Sequence, residues 1–126
     1  MSLVLDAGAF VSIERGDRET IALLKRELRA RRVPLTHGGV VAQVWRGGSG
    51  RQANLARVLP AVEVVALDDA FGRRAGALLG RTRGSDAIDA AVVLLAADGD
   101  TILTSDPRDL KTLAAAAAVH VDIVRI

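Results

Sequence analysis

The sequence predicts one α/β domain in which a parallel sheet is covered by helices on both faces. Its 126 residues are an ordinary length for a single domain. Short apolar runs alternate with segments of helical spacing, as they do when strands and helices alternate along a chain. Half of the residues are hydrophobic, which is enough for a sizeable core. We therefore expect a three-layer α/β/α fold over residues 1–126, with a central parallel sheet of four to five strands.

The first strand is predicted at Leu3–Leu5, and it runs directly into Asp6. A continuous apolar run is typical of a strand buried on both faces of a parallel sheet. Ligands bind beyond the carboxyl ends of such strands, so Asp6 is a candidate site residue. Aspartate is also a favoured helix N-cap, and capping is the alternative interpretation.

Two helices and a second strand follow. Helical spacing predicts a short helix from Ala9 to Glu14 and a longer one from Arg18 to Arg31, capped by Asp17. The β-branched and apolar run Val33–Thr36 predicts the second strand. Its Pro34 cannot donate a ladder hydrogen bond, which favours a position towards an edge of the sheet.

The middle of the chain predicts two further helices and a third strand. Thr36 can cap a helix that extends through Trp45, and a glycine-rich turn separates it from a helix over Gln52 to Leu59. The apolar run Val62–Leu67 then predicts the third strand, after which Asp68 caps a helix that ends near Leu79.

The last third of the chain repeats this alternation. Ser85 is expected to cap a strongly apolar helix over Asp86 to Ala97. The run Asp100–Thr104 predicts the fourth strand, and Pro107 suits the first position of a helix that ends near Ala117. Val119 to Ile126 completes the pattern as a last strand.

Composition excludes several classes of protein. The chain has no cysteine, which excludes disulfides and thiolate metal sites and fits a reducing cytoplasm. No apolar run reaches the ~18 residues of a membrane span, and we expect no signal peptide. The net charge is +2 and the pI is about 9.9, with arginine-rich stretches at 25–32, 46–57 and 73–83. These permit nucleic-acid binding, although solvated helix faces explain each stretch equally well.

Several carboxylates are expected at one edge of the sheet. Asp6 follows the first strand, Asp106 follows the fourth, and Asp86 and Asp89 share one face at the start of a helix. Clustered carboxylates repel one another, and a divalent cation such as Mg²⁺ or Mn²⁺ removes that penalty. Such sites support metal-assisted cleavage of phosphoesters.

Each acid also has a simpler interpretation. Asp106 can be an N-cap, and Asp86 can complement a helix dipole. Asp89 is harder to explain in this way, because it interrupts an otherwise apolar helix face, where a carboxylate without a partner is costly. Asp98, Asp100 and Asp122 are expected to be surface acids.

Three segments together resemble the acidic motifs of PIN domains. They are LVLD (3–6), SDAIDAA (85–91) and ILTSDPRDL (102–110), and their order and spacing are most similar to VapC-type ribonuclease toxins of toxin–antitoxin pairs. The resemblance implies a PIN-like fold, a Mg²⁺-dependent endoribonuclease, a homodimer and a cognate antitoxin. By position, Asp6, Asp86 and Asp106 match the metal-site aspartates of the family. Thr104 or Ser105 matches a small hydroxyl residue that hydrogen-bonds this site.

The sequence departs from this family at one position. Gln43 stands where the family usually has a glutamate, in the helix after the second strand. An amide oxygen can bind a metal but brings no charge. Asp89, one turn beyond Asp86, is the residue we expect to restore that charge, so Gln43 and Asp89 are added to the candidate site.

Other residues are weaker candidates. Arg46, Arg51, Arg81 and Arg83 are expected to flank the site, where they could hold RNA phosphates. His37 is interpreted as a substrate contact or as a surface or capping residue, and His120 as structural. Trp45 can stack on a base or take part in packing or a dimer contact.

Two other functions are compatible with parts of the pattern. A PIN-like module that lost catalysis through Gln43 would bind RNA or a protein without Mg²⁺-dependent cleavage, so metal titration separates it from the enzyme. A signalling receiver domain fits poorly, because its paired acids should end the first strand. Here the pair Asp68 and Asp69 follows the third strand.

Overall fold

A computed structural model of the chain describes residues 1–48, 50–84 and 86–126. These residues form a sheet of five parallel strands in the order β3-β2-β1-β4-β5. The strands are β1 (Leu3–Leu5), β2 (Leu35–His37), β3 (Glu63–Val65), β4 (Thr101–Thr104) and β5 (Asp122–Arg125). The predicted central sheet of four to five parallel strands is confirmed.

Helices cover the sheet on both faces. They are α1 (Ala7–Glu14), α2 (Arg18–Arg29), α3 (Gly38–Val44), α4 (Ala53–Val58), α5 (Asp69–Thr82), α6 (Ala87–Leu95) and α7 (Pro107–Ala116), with short 3₁₀ helices at Gly50–Gln52 and Leu59–Ala61. Helix α1 packs against α2, α3 and α4, whereas α5, α6 and α7 pack against one another. The two groups of helices therefore form separate layers against the sheet, as the three-layer prediction requires.

The most deeply buried part of the core includes β1, β4 and α6. Val4, Leu5 and Ile102 are fully buried in these two strands. Four successive residues of α6, from Ala90 to Val93, are also buried, so this helix is enclosed on nearly every side. The apolar stretch that the sequence shows there is therefore core, and its first turn is fixed against the sheet.

The predicted edge position of the second strand is wrong. Strand β2 lies inside the sheet, between β1 and β3. Pro34 is compatible with this position because it precedes the strand, and its carbonyl accepts a hydrogen bond from the Glu63 N–H. Its missing N–H is therefore outside the strand ladder.

Thr36 is not the cap of α3. It is a buried residue of β2 whose hydroxyl donates to the Leu5 carbonyl oxygen at 2.9 Å. The N-cap is His37, whose ring accepts from the Gly39 N–H. The sequence favoured Thr36 because threonine is a common cap and histidine is a rare one.

Several boundaries differ from the prediction. Helix α5 continues to Thr82 and ends at Arg83, which has a left-handed backbone (φ 59°), so Arg81 lies in the helix. Helix α6 ends at Leu95, and β5 is shorter than predicted. The predicted Ser85 cap lies outside the described residues, and the N-cap of α6 is Asp86.

The prediction that Asp100 is a surface acid is wrong. Its side chain is buried, and its carboxylate accepts hydrogen bonds from the Ser2 and Ala97 N–H groups. It therefore fixes the amino-terminal start of β1 to the turn before β4. Within the described residues, no helix is both long and apolar enough to span a membrane.

Candidate active site at the carboxyl edge of the sheet

Asp6 lies at the carboxyl end of the central strand β1 and is buried. Its Oδ1 accepts a hydrogen bond from the Ala7 N–H at 2.7 Å, and its Oδ2 accepts one from the Thr104 hydroxyl at 2.8 Å. The capping interpretation thus accounts for one oxygen only. The other is oriented by the neighbouring strand β4.

Thr104 connects two of the predicted acids. Its side chain is fully buried, and its Oγ1 accepts from the Asp106 N–H at 3.0 Å while donating to Asp6. The sequence left Thr104 and Ser105 as alternatives for the hydroxyl residue, and only Thr104 makes this contact. Ser105 is exposed, and it packs closely against the backbone of Gly8.

Asp106 and Asp86 both occupy N-cap positions but differ in what their side chains do. The Asp86 Oδ1 accepts from the N–H groups of Ile88 and Asp89, both at 3.0 Å, so this residue caps α6. The Asp106 side chain makes no capping hydrogen bond to α7. Capping therefore does not explain Asp106, whose exposed carboxylate stays available for a ligand.

Asp89 shows that the acids converge. It is partly buried in the first turn of α6. Burial, and after it the negative charges of nearby acids, together raise the pKa of Asp89 to about 7. Those charges belong to Asp6, Asp86, Asp109 and Asp106. The charges of four other carboxylates, two of them from segments other than β1 and α6, therefore reach Asp89 at this edge of the sheet.

Asp109 belongs to this group, although its sequence pattern did not predict it as a site residue. It lies three residues after Asp106 in the first turn of α7, where acids are common because they complement the helix dipole. That pattern explained Asp109 without any site. Its closeness to Asp89 follows from the packing of α6 on α7, which sequence spacing does not reveal.

The carboxylates fit a divalent cation only as a water-rich site. Among the described residues, no three His, Asp or Glu side chains lie close enough together to surround an ion. Mg²⁺, however, is usually bound through one or two carboxylates and retains several waters. Carboxylate oxygens are its preferred donors. A cation would also relieve the repulsion from neighbouring acids, which adds to burial in raising the pKa of Asp89. The donor set therefore suits Mg²⁺ or Mn²⁺.

A cleft of about 310 Å³ adjoins the acids. It is lined by Leu79, Thr82, Arg83, Gly84, Asp86, Asp89, Asp109, Thr112 and Leu113. The left-handed backbone of Arg83 turns the chain at its rim, and this arginine is the basic residue in the lining. A larger cavity, about 830 Å³, lies against α1 and α2, and none of the five converging carboxylates lines it.

The other predicted basic residues lie on the surface. Arg81 is exposed in the last turn of α5, one helical position before Thr82 in the cleft. Arg46 is exposed beyond α3, and its Nη1 donates to the carbonyl oxygens of Ala42 and Trp45. Its guanidinium therefore stabilises the end of α3.

Gln43 and Trp45 are exposed on or beside α3. In the part of the chain that the structure describes, Gln43 makes no hydrogen bond to any of the acids. Its place in the site thus stays a prediction from the resemblance. Trp45 is 40% exposed and follows the last turn of α3, where it could contact a base or another protein.

The two histidines have different roles. His37 is fully buried, which excludes the substrate contact and leaves the capping role. Burial lowers the pKa of its ring, against the opposing effects of the Ile88 carbonyl and the Asp6 charge. His120 is exposed before β5, and its backbone N–H donates to Asp98.

Comparison with known proteins supports the fold. No family model matches the chain, and no curated protein matches it. Among solved structures, this chain is similar to a chain in the crystal structure of VapBC2 from Rickettsia felis, which was solved bound to a DNA fragment from the VapBC2 promoter. The TM-score is 0.71 at 13% identity, and the match covers 98% of this chain and 99% of that chain. The predicted PIN-like fold is confirmed.

Proposed function

We propose that the chain is a Mg²⁺-dependent endoribonuclease and the toxin component of a toxin–antitoxin pair. The observation that carries this proposal is the convergence of five carboxylates at the carboxyl edge of a PIN-like sheet. The pKa of Asp89 supports this convergence, because four other acids add to the effect of burial in raising it. A globular protein gains no stability from such repulsion, so its presence favours a functional explanation.

The site residues have separate roles in this proposal. Asp6, Asp86 and Asp106 would hold Mg²⁺ or Mn²⁺, one or two of them directly and the rest through waters that the ion retains. Asp89 would supply further negative charge and Gln43 a neutral oxygen. The cation, when bound, supplies Lewis acidity and lowers the pKa of water at the phosphodiester. Thr104 keeps the Asp6 carboxylate oriented by its hydrogen bond.

Basic residues and helix ends complement these acids. Helices α1, α6 and α7 begin next to Asp6, Asp86 and Asp106, so their positive ends meet at this edge. Arg83 lines the cleft, and Arg81 is exposed nearby in the same helix. Together with Arg46 they are proposed to hold RNA phosphates on either side of the bond that is cut.

The proposed partners are RNA, a cognate antitoxin and a second copy of the chain. A solved chain of the same fold belongs to a VapBC2 complex, which supports an antitoxin as partner. We propose that the antitoxin presents a basic side chain to the carboxylates, and arginine suits this role because its planar fork matches a carboxylate. A reducing cytoplasm is the compartment we propose, on the lack of cysteine.

RNA cleavage with and without a divalent cation tests the enzyme. The protein should cut RNA with Mg²⁺ or Mn²⁺ and stop in EDTA. Asp6→Asn should abolish cleavage while preserving the fold, because it keeps the shape of the side chain but removes a ligand charge. Asp122→Asn is the matched control, since Asp122 is exposed at the start of β5, at the opposite edge of the sheet. Full activity in a folded Asp6→Asn protein contradicts the assignment.

A catalytically weak RNA- or protein-binding module is the second candidate. Two observations favour it: the acids do not enclose an ion in the described residues, and Gln43 brings no charge. This candidate predicts RNA binding that EDTA does not change and no cleavage at any Mg²⁺ concentration. The same cleavage assay, combined with an RNA-binding measurement, therefore decides between the two functions.

A further inference from the structure

His37 makes two hydrogen bonds that join separate elements beneath the acids. Its Nδ1 accepts from the Gly39 N–H in the first turn of α3, and its Nε2 lies 3.0 Å from the Ile88 carbonyl oxygen in the first turn of α6. An N–H can only donate and a carbonyl can only accept, so Nδ1 is unprotonated and Nε2 carries the hydrogen. The ring is therefore a neutral bridge between α3 and α6.

The residue that His37 holds lies between two acids of the site. Ile88 stands between Asp86 and Asp89, and its own N–H is bound by the Asp86 carboxylate. The first turn of α6 is thus held from one side by Asp86 and from the other by His37. A shift of Ile88 would move both acids together, because they belong to the same helical turn.

Thr36, the residue before His37, fixes the backbone next to Asp6 in a similar way. The Thr36 hydroxyl donates to the carbonyl oxygen of Leu5, which immediately precedes Asp6. Two consecutive residues of β2 are therefore bonded to the backbone next to Asp6 and to the backbone next to Asp89. The end of β2 defines the distance between these two acids, although it contributes no acid itself.

The surrounding packing keeps the ring of His37 in place. A Cβ at Gly39 would come within 2.5 Å of the Ile88 side chain and 2.8 Å of the His37 ring, so these groups fill the space a larger residue would need. On another side, the ring of Phe71 contacts His37 edge to face, with centroids 5.9 Å apart. The imidazole has no alternative position without displacing its neighbours.

We propose that His37 is a positioning residue, which by bridging α3 and α6 sets the placement of Asp86 and Asp89 relative to Asp6. A serine or threonine cap could reach the Gly39 N–H but would be too short to reach the Ile88 carbonyl as well. The imidazole has one nitrogen for each. The consequence for metal binding and cleavage rests on the proposed function, whereas the consequence for geometry does not.

Two substitutions separate the two hydrogen bonds. In His37→Asn the amide oxygen can replace Nδ1 and cap α3, but the side chain is too short to bridge to α6. In His37→Gln the amide nitrogen can replace Nε2 and donate to Ile88, at the expense of the cap. Leu24→Val is the control for general loss of stability, because Leu24 is buried in α2, a helix that carries none of the five acids of the site.

Mn²⁺ affinity and cleavage kinetics of these variants test the proposal at a temperature where all are folded. We expect His37→Asn to bind Mn²⁺ about tenfold or more weakly and to lower kcat more than it changes KM, because residues behind metal ligands have effects of this size. His37→Gln should lose less than about tenfold, because its amide nitrogen can keep the hydrogen bond to the Ile88 carbonyl oxygen. Equal losses in both variants, no loss in either, or a similar loss in Leu24→Val would overturn the proposal.

Readouts without activity separate this proposal from the proposed function. Long-range ¹H–¹⁵N spectra should show the His37 hydrogen on Nε2, and a hydrogen on Nδ1 overturns the bridge. If the wild-type protein cuts no RNA, the proposed function fails. Crystal structures of the wild type and His37→Asn then decide the inference: a wider Asp6–Asp89 separation in the variant supports it, and an unchanged one overturns it.

Discussion

A single buried hydroxyl connects the two acids that follow β1 and β4. Thr104 donates to the Asp6 carboxylate and accepts from the Asp106 N–H, so one side chain orients both residues. Because the hydroxyl is fully buried, water cannot take its place. The geometry of the site at the residue scale therefore depends on a residue that carries no charge.

Thr104→Val should disrupt this arrangement while preserving the shape of the side chain. It leaves a buried carboxylate oxygen and a backbone N–H without their partner, which should lower the free energy of unfolding by about 1–3 kcal/mol. Mg²⁺-dependent cleavage should fall as well, because Asp6 loses its orientation. Urea unfolding and a cleavage assay measure the two effects. Thr104→Ser keeps the hydroxyl and is the control; equal behaviour of the valine and serine variants would contradict this role.

Asp89 predicts a pH dependence of stability in the metal-free protein. Between its ordinary pKa of 3.8 and its folded pKa of about 7, the folded state keeps a proton that the unfolded chain has released. The contribution of this group to stability is thus present at low pH and is lost as pH rises towards 7. Asp89→Asn removes this loss of stability, because asparagine does not ionise. In EDTA at pH 8 the variant should therefore be more stable than the wild type.

The expected gain is about 1–2 kcal/mol, since partial exposure of Asp89 screens part of the repulsion. Urea unfolding across pH 4 to pH 8 measures it, and the two proteins should converge towards the acid end. Asp122→Asn, at an exposed site in β5, should show no such divergence. A wild-type protein as stable as Asp89→Asn at pH 8 would mean that neither burial nor the neighbouring acids disfavour the charged form of Asp89.

At the scale of elements, the site depends on a close contact between α1 and the junction of β4 with α7. A Cβ at Gly8 would come within 2.5 Å of the Ser105 Oγ and 2.7 Å of its backbone N. The glycine is thus required by the approach of two chain segments, both of which carry an acid of the site. Helix propensity alone would favour alanine at the same position.

Gly8→Ala and Gly76→Ala should therefore change stability in opposite directions. Both glycines are helical, but a Cβ at Gly76 in α5 would meet nothing within 4 Å. Gly76→Ala should raise the free energy of unfolding by about 0.5–1 kcal/mol, the usual gain in a helix. Gly8→Ala should lower it, by about 1–3 kcal/mol, because the Ser105 backbone cannot move freely. Thermal unfolding measures both; a gain at Gly8 would refute the contact.

The elements that sequence predicted well are those whose signal is local. Apolar runs ending in an acid marked β1 and β4, and the buried face of α6 was visible in its composition. The errors arose where tertiary contacts override local preference. Pro34 precedes an internal strand because its carbonyl, not its nitrogen, faces β3. Asp100 is buried because two distant N–H groups bind its carboxylate.

The candidate site was predictable in the same uneven way. The parallel direction of β1 and β4 brings Asp6 and Asp106 to one edge, and this direction follows from the alternation of strands and helices. Asp109 was missed, because its closeness to Asp89 depends on how α6 packs against α7. The substrate contact considered for His37 was wrong, because its role depends on how α6 packs against β2. The position of Gln43 relative to the acids stays a prediction, since its side chain is exposed.

On the scale of the whole molecule, the net charge of +2 conceals a separation of charges. Acids gather at the carboxyl edge of the sheet, while arginines are spread over the helix surfaces around it. A polyanion such as RNA would be repelled by the acids and held by the arginines. Binding and cleavage should therefore respond differently to salt and to metal, since salt screens the arginines and the metal neutralises the acids.

Arg83→Gln tests this separation of roles. Arg83 lines the cleft beside the acids, so it is expected to hold a backbone phosphate and no particular base. Its loss should weaken the binding of single-stranded RNA by a similar factor for every sequence. The slope of log affinity against log salt concentration should become shallower by about 0.7. Fluorescence anisotropy in EDTA measures binding without cleavage.

Arg29→Gln provides the control, because Arg29 lies in the last turn of α2, which leads to the start of β2 at the opposite edge of the sheet. It removes the same charge at a distance from the cleft, so the salt slope should stay as in the wild type. A slope that falls equally in both variants would show that net charge alone attracts RNA. In that case the cleft would lose its special role, and the carboxylates would have to be supplied with substrate by some other surface.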